Sequence, residues 1–304
     1  MSKLITVFGA TGNQGGSVIT QLLSDSQISK EFKIRGITRD TSKPAAQELA
    51  KKGVEIVAAD MNSKESIQAA LKDSHTVFLV TNYWESANAE IEITQGQNVA
   101  DVAKEVGVQH LIFSSLLNVT KTTNGRLTNV PHFDGKADVE QYIRDSGIPA
   151  TFYLPGYFMS NLEMALQPGQ DGALTWALPV GKDAKFPLID IKADTGKFVK
   201  AIIRNRSSLL GARVLGAQGY YTPNEILDQL SKATGKKTQY FQIDEKTYKS
   251  YLPEFMAQEM LENHLFIENP GYYGGETLDK SHNILEEKLV SWKEYAGSSA
   301  AFKA

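Results

Sequence analysis

A histidine and a lysine four residues apart, His132 and Lys136, open a helical pattern in the stretch NVPHFDGKADVEQYI, residues 129–143. Residues at positions i and i+4 share one face of a helix. An imidazole titrates near neutral pH and can donate a proton, and a lysine can hold hydroxyl groups through its N–H donors. The pair could therefore be catalytic, although two solvated side chains on a helical turn are the more common case.

A glycine-rich loop lies near the start of the chain, in VFGATGNQGGSV, between an apolar run and a helical pattern. Gly9, Gly12 and Gly15 have the spacing G-x-x-G-x-x-G. Such glycines allow a tight turn, a close approach of the backbone to pyrophosphate, and close packing of helix on strand. Because the free N–H groups of the following helix attract anions, the loop predicts dinucleotide binding.

The residues after the second apolar run, KIRGITRD, bear on the choice of dinucleotide. An NAD site needs a carboxylate there for the ribose 2′-OH, whereas an arginine suits the 2′-phosphate of NADP. Arg39 fits NADP(H), and the alternative is a solvated arginine beside Asp40. Asp60 and Met61 follow the third run and could flank the adenine, unless Asp60 only caps a helix.

The apolar runs alternate with helical patterns over the first half of the chain. The runs LITVF, KIRGIT, VEIVAA, TVFLVT, HLIFSS and ATFYL predict an α/β fold with a Rossmann-type doubly wound parallel sheet. We expect an NAD(P)-binding domain over residues 1–155 and a smaller, interleaved α/β lobe over residues 156–304. Strands ALTWAL, FPLIDI and ARVLGA are assigned to this lobe, together with helices over residues 195–204, after Thr222, and over residues 245–264 and 280–295. The terminal GSSAAFKA is expected to fray.

Composition excludes several classes of chemistry. The 304 residues contain no cysteine, which excludes disulfides, thiolate metal sites and thiol nucleophiles. A formal net charge of -3 provides no general attraction for nucleic acid or anionic membranes. The five histidines are scattered and no Asp/Glu/His cluster has metal-ligand spacing, so no metal site is expected.

Several motifs together resemble the NmrA-like family, an atypical branch of the short-chain dehydrogenase/reductases. They are GATGNQGG, TRD, FSSLLNV, HFDGKADVEQYI and LPGYFMSN, in this order, and the resemblance extends over nearly the whole chain. It implies an extended Rossmann fold and a preference for NADP(H). It also implies regulation through a bound protein partner, which in fungi is a GATA-type transcription factor.

In the wider superfamily a tyrosine donates the proton, a lysine in Y-x-x-x-K binds the ribose, and a serine stands at a strand end. By position, Lys136 corresponds to the lysine, Ser114 or Ser115 to the serine, and His132 to the absent tyrosine. The implied catalytic candidates are His132, Lys136 and Ser115, and Tyr83, Tyr153 and Tyr157 could also approach the nicotinamide. The implied nucleotide contacts are Gly9, Thr11, Gly12, Asn13, Gln14, Gly15, Arg39, Asp60, Met61, Thr81, Asn82, Lys136, Tyr157 and Asn161.

The absence of the tyrosine favours a regulatory function over a reductase function. The leading hypothesis is an NADP(H)-binding regulator and redox sensor with little or no dehydrogenase activity, acting through a protein partner such as a transcription factor. The alternative is an NADPH-dependent reductase of a small carbonyl, enone or imine substrate, with His132 or a pocket tyrosine as the acid. Neither hypothesis involves direct contact with nucleic acid or membrane. The N-terminal run LITVF is too short for a signal peptide, so we expect a cytoplasmic protein, with the nucleus as an alternative.

Overall fold

The structure, a computed structural model, describes residues 2–169 and 171–303. Within them the strands are β1 (Lys3–Val7), β2 (Phe32–Thr38), β3 (Glu55–Ala58), β4 (Thr76–Leu79), β5 (His110–Ser114), β6 (Ala150–Pro155), β7 (Tyr157–Phe158), β8 (Gln167–Pro168), β9 (Leu174–Leu178), β10 (Phe186–Ile189), β11 (Arg213–Gly216), β12 (Gly219–Tyr221) and β13 (Thr238–Gln242).

The helices of the same residues alternate with these strands. They are α1 (Asn13–Ser24), α2 (Ile28–Glu31), α3 (Pro44–Lys51), α4 (Lys64–Leu71), α5 (Ala89–Glu105), α6 (Val119–Thr122), α7 (Pro131–Ser146), α8 (Asn161–Ala165), α9 (Ile191–Arg204), α10 (Arg206–Leu209), α11 (Pro223–Thr234), α12 (Glu245–Ser250), α13 (Glu254–Phe266), α14 (Asp279–His282) and α15 (Trp292–Ser298). Short turns of 3₁₀-helix lie at Tyr83–Glu85 and Ala300–Phe302, and a π-helical turn at Ile267–Gly271.

A seven-stranded parallel sheet forms the centre of the molecule, in the order β11-β6-β5-β4-β1-β2-β3. Strands β1 to β6 coincide with the six apolar runs of the sequence, which confirms the doubly wound fold. Helices α1 and α9 pack together, as do α5 and α7. The order reverses between β1 and β4, and in such sheets ligands bind at the carboxyl ends of the strands beside this point.

Burial explains why these runs form central strands. Every residue of β4, β5 and β6 is buried, and strands that are covered on both faces have continuous apolar sequences. The buried side chains form two clusters, one containing Phe113 and Val139 and the other Val18 and Phe198. The central sheet therefore provides a rigid base for the loops at its carboxyl edge.

The second half of the chain contributes to both parts of the fold. Strand β11 is the ARVLGA run, which the sequence analysis assigned to the smaller lobe, whereas the structure pairs it in parallel with β6 in the large sheet. Its apolar pattern fits either sheet, and pairing with β6 decides its place. Two three-stranded sheets, β12-β10-β7 and β13-β9-β8, form the smaller lobe.

Several helix predictions for this half need correction. The capping box that begins α11 at Thr222 is confirmed. The helix expected over residues 245–264 is interrupted, because Pro253 disfavours helical conformation in the residue before it, so the chain divides into α12 and α13. The helix expected over 280–295 is wrong. Only α14 and α15 are helical, and α15 begins at a new capping box formed by Ser291 and Glu294.

The C-terminal residues also differ from the expectation of a frayed tail. Phe302 is only 3% exposed, and its ring lies edge-on to Trp292, with ring centroids 5.8 Å apart. Burial of a phenylalanine side chain contributes about 1.5–3 kcal/mol. This contact orders the tail through Lys303 against the smaller lobe.

Candidate functional site

The glycine loop connects β1 to α1 at the carboxyl edge of the sheet. Gly9 has φ of +64°, a conformation that glycine adopts without steric penalty. A Cβ atom on Gly15 would lie 2.3 Å from the carbonyl oxygen of Gly9. The amide of Gly12 donates to the same oxygen at 2.8 Å. Gly9 is thus required by the conformation of the turn, and Gly15 by the close approach of helix to strand.

The amino end of α1 suits a bound anion. Gly12 occupies the N-cap position without a side-chain hydrogen bond, and the first turn has no acidic residue. The first N–H groups of a helix need partners and favour negative charge. Thr11 lies in the turn before the helix, and Asn13 and Gln14 are its first two residues. The backbone of this loop could hold the pyrophosphate of a dinucleotide.

Two neighbouring strands bring the expected adenine-side residues to the same edge. Arg39 follows β2 directly, and its side chain, 69% exposed, forms an ion pair with Glu85. Asp60 lies beyond β3 and accepts hydrogen bonds from the backbone N and side-chain Nδ2 of Asn62 at 2.9 and 2.8 Å. Met61 is partly buried against the core. Arg39 therefore remains accessible to a phosphate, provided that it leaves Glu85.

Lys136 points inward from α7 toward the end of β4. Its Nζ atom donates to the Oγ1 and carbonyl oxygens of Thr81, at 2.8 and 3.2 Å, and forms an ion pair with buried Glu92. The lysine side chain is 13% exposed. These contacts use all three Nζ donors, so a ribose hydroxyl would have to replace one of them.

His132 lies one turn before Lys136 on α7 and is 12% exposed. Its Nδ1 atom is bonded to Glu259 of α13, and its backbone N donates to the Oε1 atom of Glu259 at 3.2 Å. The Oε2 atom of Glu259 accepts from the hydroxyl of Tyr83 at 3.2 Å. The reading of His132 and Lys136 as a solvated helical turn is therefore wrong, because both side chains are largely enclosed and bonded to other elements.

Both candidate serines donate to protein groups. The Ser114 hydroxyl donates to Oε1 of Gln14 at 2.8 Å. The Ser115 hydroxyl donates to Oε2 of Glu140 at 2.6 Å. Glu140 is 1% exposed and also forms ion pairs with Arg144 and Arg213. A hydroxyl has one hydrogen to donate, and Ser115 donates it to Glu140. Ser115 is thereby joined to the charge network of Glu140, Arg144 and Arg213.

The three candidate tyrosines have different surroundings. Burial and the nearby charge of Glu259 raise the pKa of Tyr83 to about 12. Tyr153 is fully buried and packs on Phe198, with ring centroids 5.7 Å apart, so it belongs to the core. Tyr157 lies on β7 with its ring edge-on to Phe186 at 5.2 Å, and burial raises its pKa above the usual value.

The remaining predicted contacts lie at element ends. Asn82 precedes the turn Tyr83–Glu85, and Asn161 is the first residue of α8. Across residues 2–169 and 171–303, no group of three or more His, Asp or Glu side chains could hold a metal ion. No helix among those residues has the length and apolarity needed to cross a membrane.

The structure adds four acidic residues that the sequence analysis missed, namely Glu85, Glu92, Glu140 and Glu259. Each contacts one of the predicted site residues, as described above. Glutamates within helical patterns normally face solvent, so their local sequence gives no sign of these contacts. The only available signal would be the expectation that buried cations require carboxylate partners.

Comparison with known proteins shows the family of the chain and agrees with its fold. The model of the NmrA-like family matches residues 1–297. An NmrA-like family domain-containing protein of Dictyostelium discoideum is 34% identical, over 97% of this chain and 97% of that protein. The NmrA-like family domain-containing oxidoreductase malD of Malbranchea aurantiaca is 32% identical, over 79% of this chain and 76% of that protein. The crystal structure of NmrA, a negative transcriptional regulator, in complex with NADP has a TM-score of 0.82 at 22% identity, covering 98% of this chain and 95% of that one.

Proposed function

Because the chain belongs to the NmrA-like family, we propose that it is an NADPH-dependent reductase of a small carbonyl, enone or imine substrate. The observation that carries the proposal is the bonding of His132. Its Nδ1 atom is bonded to Glu259, whereas its Nε2 atom has no hydrogen-bond partner among the residues that the structure describes. His132 holds the position that the superfamily gives to the proton donor, and one ring nitrogen is free for that role.

The other candidate acids are less suited to donate a proton. The Ser115 hydroxyl donates its hydrogen bond to Glu140, and the Tyr83 hydroxyl donates its own to Glu259. The pKa of Tyr83, raised to about 12, makes it a weak acid at neutral pH. His132 is therefore the proposed acid, transferring the Nε2 proton to the substrate oxygen or nitrogen.

The cofactor proposed for this reaction is NADP(H), which supplies a hydride when it is bound. The glycine loop would hold the pyrophosphate, Arg39 the 2′-phosphate and Lys136 the ribose. The observation that supports the fit is the backbone cradle at Gly15, where a Cβ atom would collide with the carbonyl of Gly9. The 32% identical relative named an oxidoreductase supports the reaction class.

The test is NADPH oxidation against a panel of carbonyl, enone and imine compounds. His132→Ala should lower kcat by about 10²–10⁴-fold, the contribution of a general acid, with NADPH affinity nearly intact. Lys136→Ala should lower NADPH affinity, because its hydrogen bonds are made in the ground state. His75→Ala, just before β4 at the opposite edge of the sheet, is the matched control. Absence of NADPH oxidation with every compound would refute the reductase function.

A second candidate function, nucleotide sensing through a protein partner such as a transcription factor, is favoured by a separate observation. Glu85 and Glu92 lie on one segment, residues 83–92, and pair with Arg39 and Lys136, the two cations assigned to the nucleotide. A nucleotide phosphate would compete with Glu85, so binding would change the contacts of this segment. By linkage, a partner that contacts the segment would alter NADP(H) affinity by the same factor.

Trp84 provides a measurement of this change, because it lies in the segment and is 46% exposed. NADPH should alter its fluorescence in the full chain, and Glu85→Gln should reduce that response. His75→Ala, which keeps both ion pairs of the segment and lies at the opposite edge of the sheet, should retain it. Identical tryptophan fluorescence and identical partner affinity with NADP⁺, NADPH and no nucleotide would refute the sensor function.

A further inference from the structure

Glu259 lies on α13 of the smaller lobe, 127 positions from the histidine that it contacts. Its carboxylate is largely buried, with 8% of the side chain exposed. The Oε1 atom contacts both the Nδ1 atom and the backbone N of His132. One carboxylate thus fixes the ring of His132 and also occupies a free N–H donor in the first turn of α7.

The contact determines which ring nitrogen carries the proton in the neutral imidazole. An ionised carboxylate only accepts hydrogen bonds, so Nδ1 must be the protonated nitrogen. The Nε2 atom is then the one that gains and loses a proton. Aromatic rings also surround the imidazole, with the centroids of Phe133 and Trp84 at 4.9 and 5.2 Å, and they restrict its rotation.

We propose that Glu259 is a positioning residue for proton donation by His132, an inference that rests on the reductase function proposed above. Its carboxylate accepts the Nδ1 hydrogen and balances the charge of the protonated ring. The N–H bond at Nε2 then breaks as a bond from that proton to the substrate oxygen or nitrogen forms. The ring is left neutral, with its Nδ1–H bond intact and still hydrogen-bonded to Glu259, and Nε2 takes a new proton from water. A carboxylate of the smaller lobe thereby positions the proton donor that the larger lobe contributes.

Helix α13 provides a matched control one turn further on. Glu262 is also buried, and its carboxylate accepts from the backbone N and the Nδ2 atom of Asn129, both at 2.7 Å. It therefore ties α13 to the start of α7 in the same manner but does not contact His132. Glu259→Met and Glu262→Met each remove a buried carboxylate that joins α13 to the first lobe, and only the first removes the acceptor for Nδ1 of His132 and for the hydroxyl of Tyr83.

The first measurement is independent of turnover. Ring-nitrogen chemical shifts of isotope-labelled histidines, with His132 assigned by its loss in His132→Ala, report which nitrogen is protonated. We expect the Nδ1–H form in the unmodified protein and in Glu262→Met, and a mixture of both forms in Glu259→Met. Retention of the Nδ1–H form in Glu259→Met would overturn the proposal.

The second measurement is steady-state kinetics with NADPH and an active substrate. Glu259→Met should lower kcat by about 10²-fold, at the lower end of a general acid's contribution, with KM and NADPH affinity within about threefold. Glu262→Met should keep kcat within about threefold of the unmodified protein. Equal losses of kcat in the two variants would show that both carboxylates only hold the lobes together, which would overturn the proposal.

A third variant keeps the test decisive if Glu259→Met does not fold. Glu259→Gln preserves the shape of the side chain and removes its negative charge, so kcat should fall at least about tenfold. An unchanged kcat in this variant would overturn the proposal. If the unmodified protein oxidises no NADPH with any substrate, the reductase function fails, whereas the ring-nitrogen shifts still decide whether Glu259 fixes the proton on Nδ1.

Discussion

Substituting Gly15 with alanine tests the fit of the glycine loop, because the surrounding atoms belong to the backbone and cannot rotate away. The new Cβ would lie 2.3 Å from the Gly9 oxygen and 2.6 Å from both the Gly9 carbonyl carbon and the Phe8 oxygen. Helix α1 would have to move by about 1 Å to restore van der Waals contact. Overpacking of this kind lowers the free energy of unfolding by about 1–3 kcal/mol.

The same displacement should weaken nucleotide binding. The N–H groups at the start of α1 would move relative to the pyrophosphate, and each charge-assisted hydrogen bond contributes about 1.5–3 kcal/mol. Loss of one such bond lowers NADPH affinity by at least about tenfold. The free energy of unfolding is measured in urea without nucleotide, and NADPH affinity is measured by calorimetry.

The adjacent glycine is a control with the same chemical change in the same helix. A Cβ on Gly16 would lie 3.5 Å from the Ala10 oxygen, an ordinary contact. Alanine is favoured over glycine within a helix by about 0.5–1 kcal/mol, so Gly16→Ala should slightly stabilise the protein and bind NADPH normally. The reasoning is refuted if Gly15→Ala matches the unmodified protein in both stability and NADPH affinity, or if the two variants behave alike.

Three further predictions concern charged groups. Arg39→Ala should weaken the binding of NADP(H) about tenfold to a hundredfold with little effect on the binding of NAD(H), since only the 2′-phosphate offers a charged partner. Equal calorimetric affinities of the unmodified protein for NAD and NADP would contradict this. Glu140→Gln should lower the free energy of unfolding in urea by about 1–3 kcal/mol, because the buried carboxylate accepts from Ser115 and pairs with Arg144 and Arg213, and an unchanged value would contradict it. Burial lowers the pKa of His110 to about 3 and of His264 to about 4, so each of these histidines binds more protons in the unfolded chain than in the folded one below pH 6.5. Stability should therefore fall by about 1.4 kcal/mol per pH unit for each histidine between pH 6 and 4, and His264→Gln should reduce that slope measured by urea unfolding.

The fold was predictable from sequence to the extent that its signals are local. Strands that are buried on both faces have continuous apolar runs, and the glycine loop, Thr222 and its capping glutamate each act within a few residues. The place of β11 was not predictable, because its pattern fits either sheet. The interruption at Pro253 did have a local signal, which the helical pattern around it obscured.

The site shows the same division between local and distant determinants. The glycine loop and Arg39 were identified from their positions relative to strands, and Lys136 from a motif. Their acidic partners were not identified, because Glu85 and Glu92 have the sequence context of exposed residues at the start of helices. Carboxylates near cations become evident only when separate elements are brought together.

Glu259 illustrates the consequence for function. From the sequence, the missing tyrosine favoured a regulator, since His132 stands where the superfamily has its proton donor. A carboxylate on Nδ1 changes this inference, because it leaves Nε2 as the nitrogen that exchanges a proton. The carboxylate comes from the smaller lobe and the imidazole from the larger one. The proposed acid catalysis would therefore depend on the two lobes together, and the nucleotide loop of the first lobe would not determine it alone.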